Sequence, residues 1–309
     1  AGIFSGRYTC RIVAAGLLAK QVLEQCGIQI FSFIREMAGV RCPEVSVESA
    51  RDYTERYKCM RRDFDPFYQE IYVKGRIDDQ MRFLEKMAVF AEIEREIDSI
   101  RSKTVVMEMD EVLDRYGVHA VVNCPDIDAA EEMRLASNRI TVTGDSSGGV
   151  VEVIARGVPA GLGEPVFDKL DAELGRMLGI GAVKGVEIGA GFTVKDMTGY
   201  EDNDRMRMDN GRVVFDSNNA GGITGGLSTS QDIVVRLAVK PTPTIDKPQN
   251  TIDKYTLTDT KLAAITRRDA TIVGRIWPVA ENYTALVLLD HLLMHEGYQT
   301  LQAKMEAAR

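Results

Sequence analysis

The chain reads as an α+β protein, and three observations carry that reading. An alanine- and leucine-rich segment, residues 11–25, has high helix propensity and is closed by Gly27. Short runs of alternating or β-branched apolar residues, 28–34, 150–158 and 233–239, are set off by glycine clusters, as strands are. Near the end, Leu286, Leu289 and Leu293 recur at helical spacing and predict an amphipathic helix with those leucines on its core face.

With 309 residues the chain can bury a sizeable core, and it is read as a single domain spanning 1–309. Its hydrophobic content of 45% and charged content of 27% are those of an ordinary globular protein. A net charge of -8 disfavours nonspecific nucleic-acid binding. No apolar run reaches the roughly 20 residues of a membrane span, so no membrane partner is expected. Five irregularly spaced cysteines fit a reducing cytoplasm better than a disulfide framework. Among them, Cys124 is read as a small buried side chain. No P-loop, nucleophile elbow or dinucleotide fingerprint occurs.

In chain order, the Ser5, Gly6, Arg7 and Thr9 cluster precedes the first helix, either to contact an anion or to cap the helix start. Residues 43–118 are charged and aromatic and predict a mostly helical excursion, with a helix over 78–103 and a solvated basic patch at 58–62. Residues 118–140 predict a short strand, a turn at 124–126 and a helix with acids near its start. Residues 168–178 predict a helix and 180–192 a strand. Asn210-Gly211 predicts a hairpin turn. The tail predicts a polar turn at 266–269, a buried strand, and then the leucine-rich helix, on which His291 and His295 are placed at the surface.

The most unusual stretch is 216–245. Gly221, Gly222, Gly225 and Gly226 let the backbone turn sharply. A β run follows with Arg236 as its odd member. Lys240, Pro241, Thr242, Pro243 and Thr244 then combine a cation, hydroxyls and a stiffened backbone. Two readings stand side by side: a phosphate-like ligand, or a tight sheet corner at which nothing binds.

In order, GDSSGGVVEV, GVPAGLGEPVFDKLDAEL, AVKGVEIGAGF, SNNAGGITGGLS and VKPTPTI resemble chorismate synthase, as do FSGRYT at the start and PVAENYTALVLLDHLL near the end. The resemblance covers 1–42 and 120–297, leaving 43–118 as an enlarged insertion. It implies a β-α-β sandwich with a large antiparallel sheet core, of which the amino-terminal part is missing, and a cytoplasmic homotetramer. It also implies a lyase that converts 5-enolpyruvylshikimate 3-phosphate to chorismate and phosphate by 1,4-anti elimination. That reaction requires reduced FMN, with NADPH as a candidate reductant of the flavin, and belongs to the shikimate pathway of aromatic amino acid biosynthesis. The small phosphorylated substrate is then the partner.

Residue by residue, the resemblance implies flavin contacts for Ser5, Arg7, Gly181, Ala182, Gly225, Lys240, Pro241, Thr242, Pro243, Thr244 and Arg267. Asp269 matches the acid of the family's GRHD motif and is implied to take part in deprotonation. Among Arg267, Arg268 and Arg275 a carboxylate suits a base. The GRHD motif reads Thr266-Arg267-Arg268-Asp269 here, and the family's GESHG and RPGHAD segments do not occur. These departures carry an alternative: a divergent, non-catalytic member that binds a flavin or anion or serves as an oligomeric structural protein.

Overall fold

A computed structural model describes residues 6–64, 109–262 and 269–307. A 3-10 turn, Gly6–Thr9, opens directly into α1, Cys10–Gln25. Gly27, at φ +80°, reverses the chain into β1, Gln29–Met37, and β2 follows at Val40–Arg41. α2, Val47–Phe64, and α3, Met109–Tyr116, lie either side of the predicted 78–103 helix, which falls outside the described residues. α4, Ile127–Val142, is capped by the Asp126 carboxylate, which accepts from the Ala129 backbone N–H at 2.8 Å.

β3, Gly149–Arg156, leads to α5, Leu170–Gly175, and then to β4, Val183–Ile188. After the one-turn α6, Gly199–Asp202, strands β5, Met206–Asp209, and β6, Arg212–Phe215, form a hairpin. Its turn is Asn210-Gly211, both at positive φ, as predicted. A second small hairpin joins β7, Ile223–Thr224, to β8, Leu227–Ser228. β9, Ile233–Val239, precedes a third hairpin of β10, Gln249–Ile252, and β11, Asp259–Leu262. α7, Val273–Ala307, ends the described chain.

A five-stranded antiparallel sheet in the order β2-β1-β3-β9-β4 organises the rest. Its register places Met37, Gly149, Val183 and Val239 at one end, and Gln29, Arg156 and Ile233 at the other. Gly149 is obligatory where it stands, because a Cβ there would run into the Glu36 carbonyl of the neighbouring strand. Alternation gives the sheet two faces. Ile30, Ile34, Val151, Val153, Val235 and Leu237 turn toward α1 and α7, where they meet Leu23, Ala280 and Leu288 in the main core. Phe31, Phe33 and Ile154 turn the other way and pack on Ala50 of α2. Each fully buried aliphatic side chain contributes roughly 1.5–3 kcal/mol relative to exposure.

Several local expectations are corrected. The buried strand expected after 269 is the start of α7, since Val273, Ile276, Val279 and Ala280 bury at helical spacing. That helix packs the expected Leu286 and Leu289 partly buried against the core, but its most buried line is Ala285, Leu288, His291 and Leu292, and Leu293 is exposed. Residues 118–123 form no strand, because the buried His119 Nδ1 accepts the Val121 and Val122 N–H groups at 3.1 and 3.0 Å. The expected 168–178 helix is a short α5 followed by a 3-10 turn, Arg176–Gly179, and the 180–192 strand shortens to β4. Cys124 is buried, as expected.

Within the 58–62 patch, Lys58 is not merely solvated. Its Nζ donates to Glu281 Oε1 at 2.9 Å. Glu281 is buried in α7, is also paired with Lys20, and accepts from the Ser32 hydroxyl at 2.8 Å. Burial alone would raise the Glu281 carboxyl, but Lys58 and Lys20 outweigh it and hold it below the ordinary range. The cluster ties α1, β1, α2 and α7 together through one carboxylate.

Candidate functional site

The end of the sheet marked by Gly149 and Val239 gathers most of the residues singled out from the sequence. β9 runs out of the sheet at Val239, and Lys240 follows directly, its backbone N–H donating to the Ala182 carbonyl at 2.9 Å. Ala182 itself takes φ +74°, a left-handed conformation that costs a residue with a Cβ of the order of 1 kcal/mol. The turn at Gly181 and Ala182 therefore delivers β4 alongside the Lys240 segment. A Cβ on Gly148 would collide with the Val239 carbonyl oxygen, so glycine there lets the 144–148 loop lie flat against the chain leaving β9.

That loop and the Pro-Thr segment are laced together. The Ser146 hydroxyl donates to the Thr242 carbonyl at 2.7 Å, and Asp246 N–H donates to the Gly144 carbonyl at 2.9 Å. Lys247 pairs with Asp145 at 2.7 Å. Ser147 N–H donates to the Ala270 carbonyl at 2.7 Å, and the Thr242 hydroxyl donates to the Asp269 carbonyl at 2.8 Å. The carboxylate of Asp269 lies against the Arg275 guanidinium, with contacts of 2.9 and 3.0 Å, at the start of α7. α1 begins at this end too, because the tight turn at Gly27 makes it run back along β1.

Lys240, Pro241, Thr242, Pro243, Thr244, Gly181, Ala182 and Asp269 are thus neighbours at one end of the sheet. Arg7 belongs to the 3-10 turn that opens α1. Ser5 and Arg267 lie outside the described residues. Gly225 is not with them. It forms the tip of the β7–β8 hairpin, φ +65°, next to Gly226, whose carbonyl accepts the Leu170 N–H. That hairpin pairs with residues 161–163 beyond the Arg156 end of the sheet. The seven residues of β9 separate it from Lys240, about 20 Å at strand rise. Two of the clustered glycines answer to backbone crowding: a Cβ would strike Gly189 from Gly221 and the Asp232 carbonyl from Gly222, while at Gly226 it would meet the Lys169 side chain.

Sequence reasoning set Arg275 near Asp269, and the two pair, but it missed Ser146 and Ser147 as their neighbours. Ser147 is buried and its hydroxyl has no hydrogen-bond partner among the described residues. The consecutive serines of GDSSGG were the available signal, but only the fold shows that they face the chain nearly a hundred positions later. Chemically, this end of the sheet offers an ammonium that among the described residues is bonded to its neighbour's carbonyl, Lys240 Nζ to Pro241 O at 3.3 Å. It also offers hydroxyls at Ser147 and Thr244, and the Asp269 carboxylate apart from the Asp145–Lys247 pair. Such a set suits an anionic ligand with a group to deprotonate beside it. Among the described residues no cluster of metal-binding side chains occurs.

Fold and site together define an α+β protein whose antiparallel sheet gathers a lysine, hydroxyls and an Asp269–Arg275 pair at one end. The chain belongs to the chorismate synthase family, whose sequence profile matches residues 1–293. It is 38% identical to the chorismate synthase of Acetivibrio thermocellus over 310 aligned residues, which take in 99% of this chain and 63% of that protein. With the chorismate synthase of Methanosarcina mazei it shares 49% identity over 94% of this chain and 63% of the relative. A crystal structure of chorismate synthase superposes with a TM-score of 0.59 at 25% identity, covering 94% of this chain and 63% of that one. The chain thus spans a little under two thirds of the length of these relatives.

Proposed function

We propose that this chain forms the flavin- and base-bearing part of a chorismate synthase, a lyase that converts 5-enolpyruvylshikimate 3-phosphate to chorismate and phosphate. The observation that carries the reading is the meeting of Lys240–Pro241–Thr242–Pro243–Thr244, Ala182 and Asp269 at one sheet end, in a chain of this family.

FMN fits the residues present. Among the described residues Lys240 supplies a cation without an acidic partner, and Ser147 a buried hydroxyl without a hydrogen-bond partner. The left-handed turn at Ala182 and the fixed φ of the two prolines hold the backbone beside Lys240 in one shape for a ring to lie against. Lys240, Thr242, Thr244 and Ala182 would hold the cofactor from one side, with Ser5, Arg7 and Arg267 joining them. Bound reduced FMN supplies electron density to the carbon–oxygen bond that breaks. Asp269 takes the proton lost from the substrate ring, and Arg275 orients its carboxylate. Cationic groups at the same end receive the departing phosphate. Gly225, about a strand's length away, would reach a flavin only from another copy of the chain, which accords with a homotetramer.

A cytoplasmic location and NADPH as flavin reductant complete the reading. No helix among the described residues is long and apolar enough to cross a membrane. The test supplies 5-enolpyruvylshikimate 3-phosphate with chemically reduced FMN under anaerobic conditions and follows phosphate and chorismate. Release of both in equal amounts supports the lyase. FMN binding without turnover would favour a flavin-binding, non-catalytic member, to which the Arg268 replacement in Thr266-Arg267-Arg268-Asp269 already points.

A further inference from the structure

Arg236, the odd member of the β9 run, has no part in the sheet-end cluster. It lies on the sheet face turned away from α1 and α7. Directly opposite it on β3 is Glu152, and diagonally beyond stands Arg35 of β1. The Nε atoms of Arg35 and Arg236 approach one Glu152 oxygen at 3.8 and 3.9 Å, too far for a hydrogen bond. Neither Nε–H has a hydrogen-bond partner among the described residues. Arg35 is 97% buried, with 3% of its side chain exposed. Its terminal nitrogens are already spent on the Pro43 carbonyl and on Glu44, and Arg236 spends one on the Gly189 carbonyl.

A buried donor left without a partner keeps the cost of losing water and gains nothing in return. Two such donors, both cationic and both lining one cavity of about 340 Å³, make a site shaped to receive something. The remainder of the lining decides what. Phe33, Val47, Ile154 and Val234 form an apolar wall beside the two arginines. Volume at the small end of ligand pockets suits a single ring rather than a nucleotide. Burial pushes the Glu152 carboxyl above the ordinary range, although Arg35 and Arg236 pull it down. Glu152 is therefore a weak occupant of the space between the two guanidinium groups.

We propose that this cavity binds a small carboxylate with an apolar, ring-sized body, its carboxylate held by the Nε–H groups of Arg35 and Arg236 and its ring against Phe33 and Ile154. The site is separate from the Lys240 end of the sheet and does not rest on the lyase reading.

Calorimetric titration of the chain with benzoate tests it, with benzamide and acetate alongside. Benzoate should bind at least about tenfold more tightly than either, since benzamide lacks the charge and acetate the ring; tenfold is about 1.4 kcal/mol. Arg236→Gln should weaken benzoate at least tenfold. Glu152→Gln keeps the shape, removes the competing carboxylate, and should tighten it. Circular dichroism establishes that each variant is folded; should Arg236→Gln not fold, Glu152→Gln decides alone. No benzoate binding to either the parent or Glu152→Gln would overturn the proposal, and so would equal affinity for benzoate and benzamide. A loss on Lys240→Gln with none on Arg236→Gln would place benzoate at the other site and also overturn it.

Discussion

Thr242 and Asp269 are joined by a hydrogen bond of 2.8 Å from the threonine hydroxyl to the aspartate backbone carbonyl, across 27 positions of sequence. Through it the Pro-Thr segment, proposed to hold the flavin, also fixes the loop that carries the proposed base. Thr242→Val keeps the shape and removes the donor. It should leave thermal stability within about 1 kcal/mol, the net worth of one such bond. FMN affinity, read by flavin fluorescence, should drop several-fold. An unchanged affinity would mean that the two segments do not act together.

Asp269→Asn should abolish chorismate formation in the anaerobic assay while FMN still binds. General-base catalysis contributes about 10²–10⁴-fold, so a loss of that size is expected. Retained turnover would remove Asp269 from the reaction.

Glu281 holds two lysines and a serine in the protein interior. Glu281→Gln leaves Lys20 and Lys58 without their shared anion, and removing one partner of a buried ion pair costs about 3–5 kcal/mol. Denaturant unfolding should show a loss of that order. Lys58→Ala should cost less, because its side chain is partly exposed and Lys20 still pairs.

The acid side of the stability profile should carry the mark of Glu131. Arg134 and then His119 hold its carboxyl down at about 2, against an ordinary 4.5. A depressed folded-state value contributes stability that is fully present above the unfolded value and is lost as pH falls toward the folded one. The loss therefore runs from about pH 4.5 down to about 2. Glu131→Gln should flatten the profile in that window. A profile identical to the parent's between those limits would contradict the pairing.

Gly149→Ala should be among the more damaging small substitutions. Its Cβ would meet the Glu36 carbonyl at the Met37 end of the β1–β3 ladder, and the sheet end that carries Lys240 would have to move. Loss of both stability and FMN binding is expected, measured by thermal unfolding and flavin fluorescence. A fully stable variant would show that the strands separate there at little cost.

The local alphabet of the chain was legible without a structure: the helix at 11–25, the strands around 150–156 and 233–239, the Asn210-Gly211 turn and the buried Cys124 all follow from propensity, period and turn chemistry. So was the family, because its motifs are long and ordered. Misreadings fell where a tertiary partner overrode the local pattern. Val273 and Ile276 look like strand residues, yet they bury in the main core as the first turn of a helix. Lys58 looks like surface charge until Glu281 is placed within its reach. His291 looks like a surface residue only if the leucines alone define the inward face.

What the sequence determined by itself is therefore the kind of pieces and the family they belong to, since both are written in neighbouring residues. Only the folded chain decided which distant pieces share an end of the sheet. Strand register sets Lys240 beside Ala182, Ser146 and Asp269 and sends Gly225 to the opposite end, and register depends on pairings between segments far apart in the chain. The same pairing set Glu152 between Arg35 and Arg236, a juxtaposition that no local window of residues contains.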